Sequence, residues 1–293
     1  MLIYSESKDF TEGIFGQCLI HLLEVLYYME NNNLINNDTN IKFDINTLNN
    51  GNLIPTFIKP KNICKIDENV KINVKKYRIE KRIDSYFALN TQSFYKANEI
   101  FNRYFIFNDF ITKSISNLNI SNNSVGIHYR GTDKNYDRGQ ANPITQDEML
   151  LIIKDYFKNN TVDKIYCCSD EQTFIDKMLL EYPDKIIVYN QLRSDNSNNY
   201  AFFRIGRNHP NRDNLTNASI IDMLALSNCK TVIKSNSALS SFSKIINPFI
   251  NLYTVCAMRC GWFPTAVAEK YKTDSEDIQN ILKRTMKGDT YNR

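Results

Sequence analysis

"KTVIKSNSALSSFSKIINPFINLYTV", residues 230–255, reads as a strand, a serine-rich turn, a helix and a second strand. The same alternation runs back along the chain from it. "SVGIHY" (124–129), "KIYCCS" (164–169) and "KIIVY" (185–189) are strand-like, whereas "ITQDEMLLIIKDYFK" (144–158), "EQTFIDKMLLEY" (171–182) and "TNASIIDMLALSNC" (216–229) are helical. Thr145 and Glu148 stand at the spacing of a capping box, which marks a helix start. Strands alternating with helices of this length predict βαβ units and therefore a parallel, doubly wound α/β sheet. A final helix, "DSEDIQNILKRTMKG" (274–288), carries acidic residues in its first turn and basic ones in its last, as the helix dipole favours.

The chain has 293 residues, comfortable for two α/β domains of ordinary size. The asparagine-rich stretch "SNLNISNNS" reads as a linker and places a boundary near 120. The expected division is an N-terminal domain at 1–120, a second domain at 121–265 and a C-terminal helix at 266–293. Residues 12–30, "EGIFGQCLIHLLEVLYYME", read as a glycine turn opening into an amphipathic helix, with Leu19, Leu22, Leu23, Leu26 and Tyr27 at helical spacing. Short β-like runs follow in 52–90, "LIPTFIK" and "VKINVKKYRI". A helical stretch around 91–117 carries Phe94, Ile100, Phe101, Phe105 and Phe110.

Composition excludes several classes. A hydrophobic content of 42% is that of a globular chain, and a net charge of +4 is too small to argue for nucleic acid, while leaving room for a local basic site. Seven cysteines without a C-x-x-C pair predict buried free thiols in a reducing, cytoplasmic setting. The N-terminus shows no secretory signal, and no apolar run predicts an integral membrane segment. His21, His128 and His209 show no i, i+4 pairing, so no metal is expected. Neither a glycine-rich dinucleotide fingerprint, nor G-x-x-x-x-G-K-S/T, nor a G-x-S-x-G elbow is present.

In an open α/β sheet, ligands sit beyond the carboxyl ends of the strands. Three polar clusters fall on that rim: His128 to Lys134 in "SVGIHYRGTDKNYDRG" (124–139), Ser169 to Glu171, and Ser235 to Ser241. Arg130 follows His128 by two residues and so shares its face of the strand. Its guanidinium offers a fork of donors to phosphate oxygens; the alternative is a salt bridge to Asp133 or another rim carboxylate. Ser237 and Ser240 lie near a helix N-terminus, which favours an anion, although a serine there is also simply a good cap. Asp170 and Glu171 have three readings: they cap the next helix, hold a ribose or organise Arg130. Asp222, among apolar residues of its helix, is a candidate acceptor for a guanine edge.

Together these residues resemble the fucosyltransferase superfamily, which includes α-1,6-, α-1,2- and protein O-fucosyltransferases. "GIHYRGTDK" is similar to the first motif of those enzymes, in the α-1,6 branch roughly H-x-R-R-T-D-K. "IYCCSDEQTF" resembles their strand followed by an acidic pair, and "IDMLALSNCKTVIKSNSALSSFS" their third motif, D-x-x-x-L-S-x-C leading to a serine-rich turn. "EGIFGQCLIHLLEVLYYMENNNL" is similar to their glycine turn and first helix. The similarity spans roughly 12–30 and 124–246.

The resemblance implies a GT-B fold of two Rossmann-like domains, with GDP-fucose as donor substrate held mainly by the C-terminal one. It implies inverting transfer to a glycan or protein hydroxyl with no metal or other cofactor. Arg130 would grip the β-phosphate and stabilise departing GDP, and His128 and Asp222 would contact guanine. Ser237 and Ser240 would contact the pyrophosphate, and Asp133 and Lys134 would order the adjoining loop. Asp170 and Glu171 complete the expected donor-binding set. Two positions depart from the α-1,6 pattern: Gly131 replaces its second Arg, and Arg138 stands where those enzymes carry Glu. Asp137 is then the nearest candidate for the base that deprotonates the acceptor. These departures keep open a non-catalytic GDP-sugar-binding module, and the donor could also be another nucleotide sugar.

Overall fold

The structure, a computed structural model, describes residues 1–6, 14–36, 39, 41–47, 51–52, 58–60, 70–83, 87–131, 142–194, 212–257 and 263–287. The chain divides into two compact units, Met1–Ser114 with Ile205–Ile220, and Ile115–Arg204 with Ile221–Arg293.

The first unit is built on β1 (Leu2–Ser5), α1 (Leu19–Asn31), β2 (Lys42–Thr47), β3 (Gly51–Asn52), β4 (Ile58–Pro60), β5 (Lys71–Asn73), α2 (Val74–Glu80), α3 (Gln92–Tyr104) and β6 (Phe105–Phe107). Its sheet has the order β3-β2-β1-β5, with β1 parallel to both neighbours. The expected turn before α1 is a single wide, π-type helical turn, Ile14–Cys18, and α1 buries Leu19, Leu22, Leu23 and Leu26. Two expectations need correction. "VKINVKKYRI" is a strand only over Lys71–Asn73, because the Asn73 side chain accepts from the Lys76 N–H at 3.0 Å and starts α2. The stretch 91–117 is two helices, not one. Phe105–Phe107 leaves the helix to pair with β4, and Asn108 then accepts from the Ile111 N–H at 3.0 Å to open α4 (Asp109–Ser116). Phe110, on α4, is 55% exposed.

The second unit follows the predicted alternation. After β7 (Val125–Tyr129) come α5 (Gln146–Asn159), β8 (Ile165–Ser169), α6 (Gln172–Glu181), β9 (Ile186–Ile187), α7 (Arg212–Ser227, of which the part from Ile221 belongs to this unit), β10 (Thr231–Lys234), α8 (Ala238–Ile246), β11 (Asn251–Thr254), β12 (Glu269–Lys270) and α9 (Glu276–Thr285). The sheet order is β12-β11-β10-β7-β8-β9, and each of its pairs is parallel. The chain therefore adds strands outward on one side of β7, returns to β7's other side at β10, and builds outward again. The switch point lies between β7 and β10, where such sheets leave a crevice at their carboxyl edge.

Strand alternation divides the core. Val125, Ile127 and Tyr129 pack with Met149, Ile152, Phe174 and Ile278 on one face. Tyr166, Cys168 and Val232 pack with Ala225 and Leu226 on the other. Gly126 faces this second layer: a Cβ there would come within 2.6 Å of the Leu226 side chain, so α7 sits close because position 126 has none. Five of the seven cysteines lie in the described residues, each a buried free thiol. No helix of the described residues is long and apolar enough to cross a membrane.

The capping box at α5 is formed in both directions, Glu148 N–H to Thr145 Oγ1 at 3.2 Å and Thr145 N–H to Glu148 Oε2 at 2.9 Å. Thr145→Ala is expected to lower stability by about 1 kcal/mol without altering the fold, measured by urea unfolding followed by far-UV circular dichroism.

Candidate functional site

The register of β7 against its neighbours places His128 opposite Lys234 of β10 on one side and Cys168 of β8 on the other. Beyond these rungs the three clusters expected on the rim meet. The Arg130 N–H donates to Ser235 Oγ at 2.7 Å, and Arg130 Nη1 pairs with Asp170 Oδ2 at 3.1 Å. The Gly131 N–H donates to the other oxygen of the same carboxylate at 2.9 Å. Asp170 thus organises the turn after β7 and aims the guanidinium. Of the readings open for Arg130 and Asp170, the salt bridge with a rim carboxylate is formed, and it leaves the Arg130 side chain one-fifth exposed.

His128 is buried, with Nδ1 2.9 Å from Ser240 Oγ on α8. Burial, with Lys234 and Arg130 adding to it, draws its pKa down to about 3, so the ring is neutral at any ordinary pH. Ser240 is wholly buried and also donates to the Ser237 carbonyl at 3.4 Å. Ser237 is the N-cap of α8, its Oγ accepting from the Leu239 N–H at 3.2 Å. The serine-rich turn therefore locks α8 onto β7 and leaves its first-turn amides at the carboxyl edge of the sheet.

Glu171, the second acidic residue of the expected donor-binding set, lies against Gln146 and the backbone at Gly131. It is wholly enclosed, and its Oε2 accepts from Gln146 Nε2 at 2.7 Å. The physical reason lies at Gly131: a Cβ at that position would overlap the Glu171 carboxylate. Where the α-1,6 motif has a second Arg, this chain has a glycine with a carboxylate folded into the space. Glu171 is positionally the N-cap of α6 but makes no side-chain cap bond.

Asp222 lies apart from Arg130. Its Oδ1 accepts from the Tyr166 hydroxyl at 2.5 Å and its Oδ2 from Gln191 Nε2 at 2.8 Å. Burial raises its pKa to about 6, against the opposing pull of Tyr166, Gln191 and Arg193. Arg193 is itself buried and ties the segment after β9 to the end of β8, donating to the carbonyls of Ser169, Gln191 and Tyr189 at 3.2, 3.3 and 2.7 Å. Asp133, Lys134, Asp137, Arg138 and His209 lie outside the described residues. His21, on α1, is held neutral, its pKa drawn to about 3 by burial and then by Arg78 and Lys75. Among the described residues no three His, Cys, Asp or Glu side chains gather as a metal site.

Sequence reasoning missed Gln146, Tyr166, Gln191, Arg193 and Lys234. Only Lys234 left a usable signal. It ends a run of four strand residues, all buried, where strand alternation places it on the face of Val232.

No protein-family model and no curated protein matches the chain. Solved structures do. The α-1,6-fucosyltransferase NodZ soaked with GDP-fucose matches at 14% identity with a TM-score of 0.50, covering 85% of this chain and 92% of the other. NodZ from Bradyrhizobium matches again at 14% identity and a TM-score of 0.49, over 85% and 93% of the two chains. A mutant of Arabidopsis thaliana FUT1 in complex with GDP matches at 11% identity and 0.45, over 84% and 68%.

The Gly131–Glu171 fit yields a coupling test. Gly131→Ala is expected to cost about 2 kcal/mol, since Glu171 must abandon Gln146 or accept overlap, whereas the same change in a Glu171→Ala background costs less than about 1 kcal/mol. A urea double-mutant cycle measures the difference. Over 85% of its length the chain shares the mixed α/β, GT-B-like fold of the α-1,6-fucosyltransferase NodZ.

Proposed function

We propose that this chain is an inverting glycosyltransferase that moves fucose from GDP-fucose to a hydroxyl of a glycan or a protein. The observation that carries the reading is the Arg130 fork, fixed by Asp170 and Ser235 at the switch point of the second unit's sheet. Support comes from the likeness of fold to NodZ, whose structure was solved with GDP-fucose.

In this reading Arg130 meets the β-phosphate and stabilises the charge that develops on GDP as the sugar–phosphate bond breaks. The first turn of α8, held by Ser237 and Ser240, adds backbone N–H groups and the helix dipole near the pyrophosphate. His128, engaged to Ser240 through Nδ1, meets the nucleotide with its other ring nitrogen. Each Asp222 oxygen already accepts one hydrogen bond and retains capacity for another, so the carboxylate takes the donor groups of the guanine edge. Asp133 and Lys134 order the loop after β7, and Asp137 serves as the base for the acceptor hydroxyl. The transfer needs no metal or further cofactor, because Arg130 and the α8 amides supply the positive potential. The 1–120 region shapes the acceptor side.

A binding module without catalysis is the second reading, favoured by the closed space at Gly131, which removes one cation of the α-1,6 motif. Thermal shift against GDP, UDP and their sugars tests the donor, with a selective GDP shift expected. Release of GDP from GDP-fucose separates the two readings. Arg130→Ala is expected to reduce transfer and donor hydrolysis by ~1000-fold or more with the fold intact; near-normal turnover would sink the assignment.

Asp222 sets a pH dependence. Its pKa in the folded protein, about 6, lies above the ordinary 3.8, so protonation below about pH 6 removes an acceptor for the guanine edge. GDP affinity by calorimetry is expected to fall as pH drops through 6. The same raised pKa means that its contribution to stability declines as pH rises from about 4 to 6, since the folded state holds the proton more tightly there. Asp222→Asn is expected to flatten both profiles.

A further inference from the structure

The carboxyl end of β10 carries a cation that the contacts above leave without a counter-charge. Lys234 is the last residue of the strand and is 1% exposed. Its ammonium reaches one residue onward and donates to the Ser235 carbonyl at 3.2 Å. Among the described residues it forms no ion pair and no other hydrogen bond. The Cys256 thiol beside it is neutral, its pKa raised by burial. Lys234 and Arg130 both put positive potential on His128, and the rim carboxylate Asp170 is committed to Arg130 and Gly131.

A buried ammonium with one backbone acceptor is costly, because an ionised group taken out of water is repaid only by a close opposite charge and a full set of hydrogen bonds. Burial draws the Lys234 pKa from 10.5 to about 8, which still leaves it charged at neutral pH. Such an arrangement weakens the empty protein and gains when an anion arrives. The position specifies which anion. Lys234 is in register with His128 at the switch point, two strand residues short of Arg130, on the face of the sheet that both share. A second cation beside Arg130 suits a group with more than one negative charge.

We infer that Lys234 is a second cation of the donor site, taking an oxygen of the terminal phosphate of a nucleoside diphosphate alongside Arg130. The inference rests on the GDP-fucose reading and adds to it a residue to which the resemblance assigns no role. Lys234 in part replaces the cation lost at Gly131, from a neighbouring strand instead of the same turn.

The test uses the full chain, with GDP and GMP as probes, and compares wild type with Lys234→Met and Lys234→Gln. Calorimetry is expected to show GDP binding weakened ~10–100-fold in both variants and GMP affinity changed by less than about twofold. The ligand-free melting temperature is expected to rise or hold in Lys234→Met, because a desolvated charge is removed. A merely structural lysine would lower it. Unchanged GDP affinity, or equal losses for GDP and GMP, overturns the role of Lys234 while leaving the donor reading in place. If wild type binds neither GDP nor GMP, the donor reading falls and the inference with it.

Discussion

The parallel pairing of β7 with β10, in the register that sets His128 opposite Lys234, is the constraint on which the rim depends. Through it the amide of Arg130 comes within reach of Ser235, and His128 comes within reach of Ser240 on the helix that β10 feeds. A slip of β7 by one residue would turn His128 to the face occupied by Met149, Ile152 and Phe174, and bring Ile127 to the site. The apolar layers on both faces forbid that slip. Core packing therefore specifies where the polar groups stand.

Charge at this rim is arranged economically. One carboxylate, Asp170, answers both the guanidinium of Arg130 and the amide of Gly131. The second acidic residue, Glu171, turns inward to Gln146 and fills the space beside the glycine. His128 is held neutral, and Lys234 is buried without a carboxylate among the described residues. The balance favours arrival of an anion over the empty state. A site that must stabilise a departing diphosphate benefits from potential fixed in place before the ligand enters.

Much of the second unit was legible in the residues. Strand-like runs and helical runs of the expected length gave its alternation, and the Thr145–Glu148 spacing placed a helix start that the structure forms in full. The first unit was less legible. β1 is four residues long and carries too little pattern to be distinguished from coil. "VKINVKKYRI" has the β-branched character of a strand, but the cap at Asn73 turns most of it into helix. The break at 105–107 comes from pairing with β4, a partner far away in sequence that no local period reveals.

The amino-acid sequence by itself determined the βαβ order, the buried thiols of the described residues, and the three polar clusters at the strand ends, because each depends on local periodicity, spacing or composition. Only the tertiary structure decided what those clusters do. It gave Asp170 to Arg130, turned Glu171 into the space beside Gly131, joined Asp222 to Tyr166 and Gln191, and left Lys234 enclosed at the switch point. These outcomes depend on which strands become neighbours and on how much water they exclude. Both are set by packing between residues distant in sequence, where a charge is either paired or left waiting for a ligand.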